Sequence, residues 1–194
     1  MVAGYHLVWT AYGWWLPNDP RGSWSQDVRV EKIEPLGEMH YGRKAKQPLP
    51  AELRRFYEEA ADLLKHPLLT FSQDDFEIIA KAFSDVIEER GYTCYQCAIM
   101  PEHVHLLMRR HRDKAEVMIE LLQNKSRELL IEAGIRSATH PVWGGPGWKG
   151  FLSTRADFYR VEEYIRRNPE KERLSGQCWP FVTPYDGWMP GYRG

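Results

Sequence analysis

Short stretches of alternating apolar and polar residues, two long helical patterns set between them, and Gly or Pro stops after most of these together predict an α+β fold. The order strand–helix–strand–strand–helix–strand, with one more helix at the end, is that of a ferredoxin-like, RRM-like split βαβ with a central antiparallel sheet. A chain of 194 residues with 43% hydrophobic content suits one domain with a real core. No internal repeat or low-complexity tract divides it. Residues 1–194 therefore read as a single domain, with an insertion at about 15–67 and an irregular C-terminal segment over 176–194.

Each element has its own signal. Tyr5, Leu7 and Trp9 alternate with His6 and Thr10, which makes residues 4–10 the first strand. Gly13, Pro17, Asn18, Asp19, Pro20 and Gly22 then break the pattern, and residues 23–48 carry mixed charge without a period, an irregular excursion with room for short strands. Pro50 suits a first helical turn, and Leu53, Phe56, Tyr57, Ala60, Ala61 and Leu64 keep helical spacing to about Lys65. Ser72 and Asp75 make a capping box with Asp in place of Glu; Phe76, Ile79, Ala80, Phe83, Val86 and Ile87 form the amphipathic helix that follows, and Gly91 stops it. Residues 92–100 and 104–109 read as consecutive antiparallel strands joined at Pro101-Glu102. A second long helix covers 113–133, with Val117, Ile119, Leu121 and Leu122 inward and Gly134 at its end. A stretch rich in Gly, Pro and Trp over 140–150 leads to a short strand at about 150–154. The last helix runs from about Ala156 to Asn168, where Pro169 bars its continuation.

Composition excludes some functions. No apolar run is long enough to span a bilayer, and the N-terminus lacks a basic-then-apolar leader, so an unexported, cytoplasmic protein with no membrane role is expected. Three cysteines cannot form a closed disulfide set, which suits a reducing compartment. The net charge is −1, so the global field does not attract nucleic acid. Its distribution is uneven. Residues 1–100 hold 11 Lys and Arg against 15 Asp and Glu, whereas residues 101–175 hold 14 against 11.

The chemistry-bearing residues lie in that second part. In a strand alternate side chains share a face, so His103 and His105 point the same way, about 7 Å apart, and can grip one metal ion while leaving its other positions open. In a helix positions i and i+4 share a face, which sets the Tyr164 hydroxyl beside the Asn168 amide. Two imidazoles for a divalent metal and one phenol for a nucleophile describe a metal-polarised phosphodiester attacked by tyrosine. Mn²⁺ suits imidazole better than Mg²⁺, which is tolerated where phosphate and water complete the shell. An unperturbed phenol ionises at about pH 10, so a metal or cation must favour its ionised form. No general base is evident, and Tyr159 is the nearest rival nucleophile, with Glu163 where Tyr164 has Asn168.

The segment Met100-Pro101-Glu102-His103-Val104-His105-Leu106-Leu107 resembles the "MPNHVHLL" signature of single-tyrosine HUH transposases. Tyr164-Ile165-Arg166-Arg167-Asn168-Pro169 resembles the "YIxxNP" element of the REP-associated tyrosine transposase branch, and Tyr5 to Thr10 resembles its first strand. Order and spacing agree over roughly residues 5–12 and 69–175. Glu102 departs from the common Asn, and shorter members lack the long stretch after the first strand. The resemblance implies an HUH endonuclease fold and a metal-dependent single-stranded DNA endonuclease and strand transferase, acting at the foot of a hairpin through a 5′-phosphotyrosine on Tyr164. It implies Asn168 as a third metal ligand beside His103 and His105. It implies single-stranded or hairpin DNA as the partner of a monomer or homodimer.

Other features have two readings. Arg109, Arg110 and Arg112 directly follow the histidine strand, and form either a solvated turn or a phosphate grip beside the site, extended by Lys125, Arg127, Lys149, Arg155, Arg160, Arg166 and Arg167. The clusters Trp14-Trp15, Trp143 to Trp148 and Trp179 to Phe181 read as core or lid packing, with base stacking as the alternative. Cys94 and Cys97, three apart on a strand, point to opposite faces and make no zinc pair. His6, His40, His66, His111 and His140 lack a partner at useful spacing and receive no role. Two functional alternatives stand beside the transposase: a domesticated hairpin-binding protein without catalysis, and a small His-x-His metallohydrolase.

Overall fold

A computed structural model describes residues 1–23, 36–38, 40 and 42–191. Among the described residues nine elements follow in order: β1 (Gly4–Thr10), α1 (Pro50–Leu63), α2 (Gln73–Arg90), β2 (Cys94–Ile99), β3 (His103–Arg109), α3 (Ala115–Glu132), β4 (Trp148–Leu152), α4 (Arg155–Arg166) and the single turn α5 (Asn168–Lys171). The four strands form one sheet in the order β2-β3-β1-β4, and every neighbouring pair is antiparallel. This is the split βαβ arrangement expected from the element order, with the extra helix α1 between β1 and α2. Part of the irregular excursion after β1, residues 24–35 with 39 and 41, lies outside the described residues, as do residues 192–194 of the C-terminal segment.

The caps explain the helix boundaries. Ser72 N–H donates to Asp75 Oδ2 at 2.8 Å and Asp75 N–H to Ser72 Oγ at 3.3 Å, the predicted capping box of α2. Gly91 ends that helix at φ 66°, a left-handed position that favours glycine. A second box, Thr154 with Asp157, opens α4. It also corrects the fourth strand: Ser153 and Thr154 serve the cap, so β4 sits two residues earlier than expected. The last helix is corrected as well. It stops at Arg166, and Asn168 opens α5 with Pro169 in its first turn. On α3 the inward set is Ala115, Met118, Ile119, Leu122, Ser126 and Leu130, while the expected Val117 is exposed.

Two apolar layers enclose the sheet. On one face Leu7 and Trp9 of β1 and Val104, Leu106 and Met108 of β3 pack with Phe76, Ile79 and Phe83 of α2 and Met118, Ile119 and Leu122 of α3. On the other, Leu107 and Leu152 pack with Phe158, Val161 and Ile165 of α4 and with Tyr185 of the C-terminal segment. The period of two therefore sends His6, His103 and His105 to the face that α4 covers.

Trp14, Trp143 and Trp179 follow the packing reading. Trp143 donates its indole N–H to Ser126 Oγ and sets its ring 5.0 Å from Phe71, and Trp14 donates to the Leu69 carbonyl at 2.7 Å. Trp179 is buried in the core. Cys94 and Cys97 are buried free thiols, with burial raising Cys94 to about 12.

Candidate active site

Register brings together residues that are far apart in sequence. β1 pairs with β3 so that His6 lies opposite Leu107 and Val8 opposite His105, which makes His6 and His105 diagonal neighbours on one face. Their rings stack at 5.2 Å, and His6 Nε2 and His105 Nδ1 share a hydrogen bond of 3.0 Å. His103 sets its ring edge-on to His105 at 4.8 Å. From α4 above, Tyr164 brings its ring to 5.5 Å from His105 and 5.9 Å from His6. It remains 45% exposed, so a substrate can reach the phenol. The rival Tyr159 instead packs against Tyr185 at 5.3 Å.

The electrostatics hold the imidazoles neutral. Burial lowers His6 to about 4, and burial followed by the charge of Arg21 lowers His103 to about 4. His105 is pushed well below its ordinary value by burial, then by His103, His6 and Lys171. Neutral imidazole is the form that binds a metal. The donor set fits a divalent ion at the two histidines: His103 Nδ1 is buried without a hydrogen-bond partner, and the His6 bond leaves Nε2 of His105 for a ligand. Among the described residues no group of three or more His, Cys, Asp or Glu is placed to share one metal ion, so a third protein ligand would have to be of another type. Asn168 is buried, with its Nδ2 unpartnered and its Oδ1 facing Lys171 Nζ at 3.3 Å.

Lys171 is a residue that sequence reasoning passed over. Its ammonium lies 4.4 Å from the centre of the Tyr164 ring, a cation–π contact that sets a positive charge beside the phenol. The signal was available: Lys171 follows Asn168 by three, one helical turn on. His6 carried a weaker signal, a polar residue on the strand face opposite Tyr5, Leu7 and Trp9. A third group arrives from the segment that follows β1: Trp15 sets its ring edge-on to His103 at 5.5 Å, and Arg21 stacks on Trp15.

The cationic residues named from sequence are scattered. β3 carries His103 at one end and Arg109 at the other, so six steps of about 3.3 Å set the Arg109–Arg112 run roughly 20 Å from His103. It lies beyond the far end of the strand and not beside the site. Arg109 itself stacks on Trp188 at 3.6 Å, whereas Arg110 and Arg112 are exposed. Lys149 pairs with Glu116 at 2.8 Å, and Arg155 donates to the Gly187 carbonyl. Arg166 and Arg167 both pair with Glu163, near the turn that carries Tyr164.

No family model and no curated relative matches the chain. Among solved structures it is similar to a REP-associated tyrosine transposase bound to a REP hairpin, at 12% identity and a TM-score of 0.48, over 93% of this chain and 76% of that one. It is also similar to a protein from Deinococcus radiodurans R1 described as a candidate transposase, at 14% identity and a TM-score of 0.35, over 90% of this chain and 94% of that one.

Proposed function

We propose that the chain is a metal-dependent single-stranded DNA endonuclease and strand transferase of the HUH transposase type, with Tyr164 as nucleophile. The observation that carries this reading is the convergence of an exposed phenol on a neutral pair of histidines, His105 buried and His103 half-buried, with a lysine over the phenol ring. A structural tyrosine has no need of all three.

His103 and His105 would hold Mg²⁺ or Mn²⁺, with Asn168 as a third ligand once its amide turns Oδ1 inward. When bound, the ion supplies Lewis-acid withdrawal of charge from a non-bridging phosphate oxygen. The chain's own residues do the rest. His6 orients His105 through their hydrogen bond. Lys171, its ammonium over the Tyr164 ring, offsets phosphate charge. Tyr164 Oη releases its proton to solvent and attacks phosphorus, the 3′-oxygen of the preceding nucleotide leaves and takes a proton from solvent, and a 5′-phosphotyrosine forms. The phosphodiester energy is conserved for rejoining to another 3′-hydroxyl. The substrate is a single strand flanking an imperfect hairpin, and the working form is a monomer or homodimer in the cytoplasm.

The test is a denaturing gel of labelled hairpin oligonucleotides with single-stranded flanks, incubated with Mn²⁺ beside a Tyr164→Phe control. A covalent band that the variant loses is the expected result. A band that survives in Tyr164→Phe would move the nucleophile to another tyrosine. Tight binding with no band would favour the non-catalytic hairpin binder.

A further inference from the structure

The 15–67 segment, which the nuclease reading leaves without a role, places one guanidinium beside His103. Arg21 Nε donates to Asp19 Oδ1 at 2.9 Å, and Nη2 donates to Asp19 Oδ2 and to the Tyr57 hydroxyl, both at 2.8 Å. Asp19 is fully buried, and the Tyr57 hydroxyl donates back to it. The guanidinium carbon lies 3.8 Å from the centre of the Trp15 ring, the same ring that meets His103 edge-on at 5.5 Å. Trp15 itself holds a positive φ of 55°, strained for a bulky side chain, and its N–H donates to Tyr57 Oη. Aspartate, tyrosine and tryptophan thus fix three of the five N–H donors and the plane of the group. The remaining nitrogen, Nη1, makes no hydrogen bond among the described residues; it forms only a long ion pair with Glu102 Oε2, at 4.0 Å. A rigid guanidinium with one forked nitrogen held only by a long ion pair is suited to a phosphate oxygen.

We propose that Arg21 forms a phosphate subsite beside His103, offering Nη1 to a non-bridging oxygen of the DNA strand entering the active site. The proposal rests on the nuclease reading, and gives the insertion a purpose within it. Asp19 balances the charge of Arg21 from the opposite edge, so the subsite works through directed donors rather than net field. Glu102 stands where the incoming phosphate would sit and competes with it.

The charge balance makes a clean test possible. Asp19→Asn with Arg21→Gln removes the pair together, stranding no buried charge and leaving the net charge of the protein unaltered. Binding of a fluorescent hairpin oligonucleotide with single-stranded flanks is measured in EDTA, so that no cleavage intervenes, with near-UV circular dichroism to check the fold. Without the charge-assisted hydrogen bond from Arg21 to phosphate, binding weakens by about tenfold or more. A Kd within twofold of wild type, in a natively folded double variant, overturns the proposal. Should that variant not fold, Glu102→Gln decides: removal of the competing carboxylate is expected to tighten binding several-fold, and an unchanged or weaker Kd overturns the subsite. Failure of the nuclease reading shows separately, as wild-type protein that binds the oligonucleotide but forms no covalent band with Mn²⁺. Wild-type protein that does not bind the oligonucleotide overturns both.

Discussion

At the level of single residues, the hydrogen bond between His6 and His105 decides which nitrogen of His105 is available. If His105 ligates through Nε2, its proton resides on Nδ1 and is donated to His6 Nε2, and the proton of His6 then sits on its own Nδ1. Replacing His6 with Ala takes away the acceptor and leaves His105 free to turn or change tautomer. Loss of such an orienting partner typically weakens metal binding by about 10–100-fold. Titration calorimetry with Mn²⁺ on His6→Ala is expected to show that loss, with partial recovery in His6→Asn, whose amide oxygen can accept the same proton. Wild-type affinity in His6→Ala would reduce His6 to packing. The contrast with His103 and His105 shows what a sequence reveals at this scale. Their common face follows from a period of two along one strand, whereas His6 is 99 positions from its partner and is found only through the register of β1 on β3. Lys171 and Arg21 lie close to Tyr164 and His103 for the same kind of reason: a turn and a loop return the chain to the site.

Among the elements, the seating of α4 on the sheet sets where Tyr164 stands. Phe158, six residues before the tyrosine on the same helix, is fully buried against the start of β1. A methyl group on Gly4 would collide with Phe158 Cζ and lie 2.6 Å from the Met108 carbonyl oxygen, which belongs to the backbone and cannot rotate away. Gly4→Ala should therefore lift α4 from the sheet. Overpacking of this kind costs about 1–3 kcal/mol, readable as a lower urea midpoint. Covalent adduct formation should fall further than stability alone accounts for, because the phenol moves with the helix; a variant with full adduct formation would show that α4 is not held this tightly. Strand and helix periods were legible for all the main elements, and so were the caps at Ser72 and Gly91. Boundaries slipped where a side chain served a neighbouring element, as Thr154 does in capping α4 at the expense of β4. Of the two readings of the Arg109–Arg112 run, the solvated turn agrees with the exposure of Arg110 and Arg112, whereas a grip beside the site does not: adjacency in sequence along an extended strand is distance in space, and about 20 Å separates the run from His103.

For the whole molecule, the least legible feature was the C-terminal segment, which has no period to read because it adopts no long element. It nonetheless closes the fold. Gln177 uses its amide as a strand would use its backbone, accepting from Ile99 N–H at 2.8 Å and donating to Ile99 O at 2.7 Å. Further on, Thr183 N–H donates to the Cys94 carbonyl and Val182 forms a parallel bridge with Cys94. The segment thus covers the outer edge of β2, an edge strand of the sheet. Its aromatic residues anchor it: Trp179 enters the core, Tyr185 stacks on Phe158 at 4.6 Å, and Trp188 receives Arg109. Burying one large apolar side chain stabilises by about 1.5–3 kcal/mol, so two such anchors amount to a sizeable part of the 5–15 kcal/mol net stability usual for a domain. A chain ended before Gln177 should consequently melt at a markedly lower temperature. It should also self-associate, because β2 would present unpaired N–H and C=O groups along an apolar strand. Sedimentation velocity across a range of concentrations checks this. A truncated chain that stays monomeric and melts like the full one would mean that the sheet edge is protected by something other than this segment.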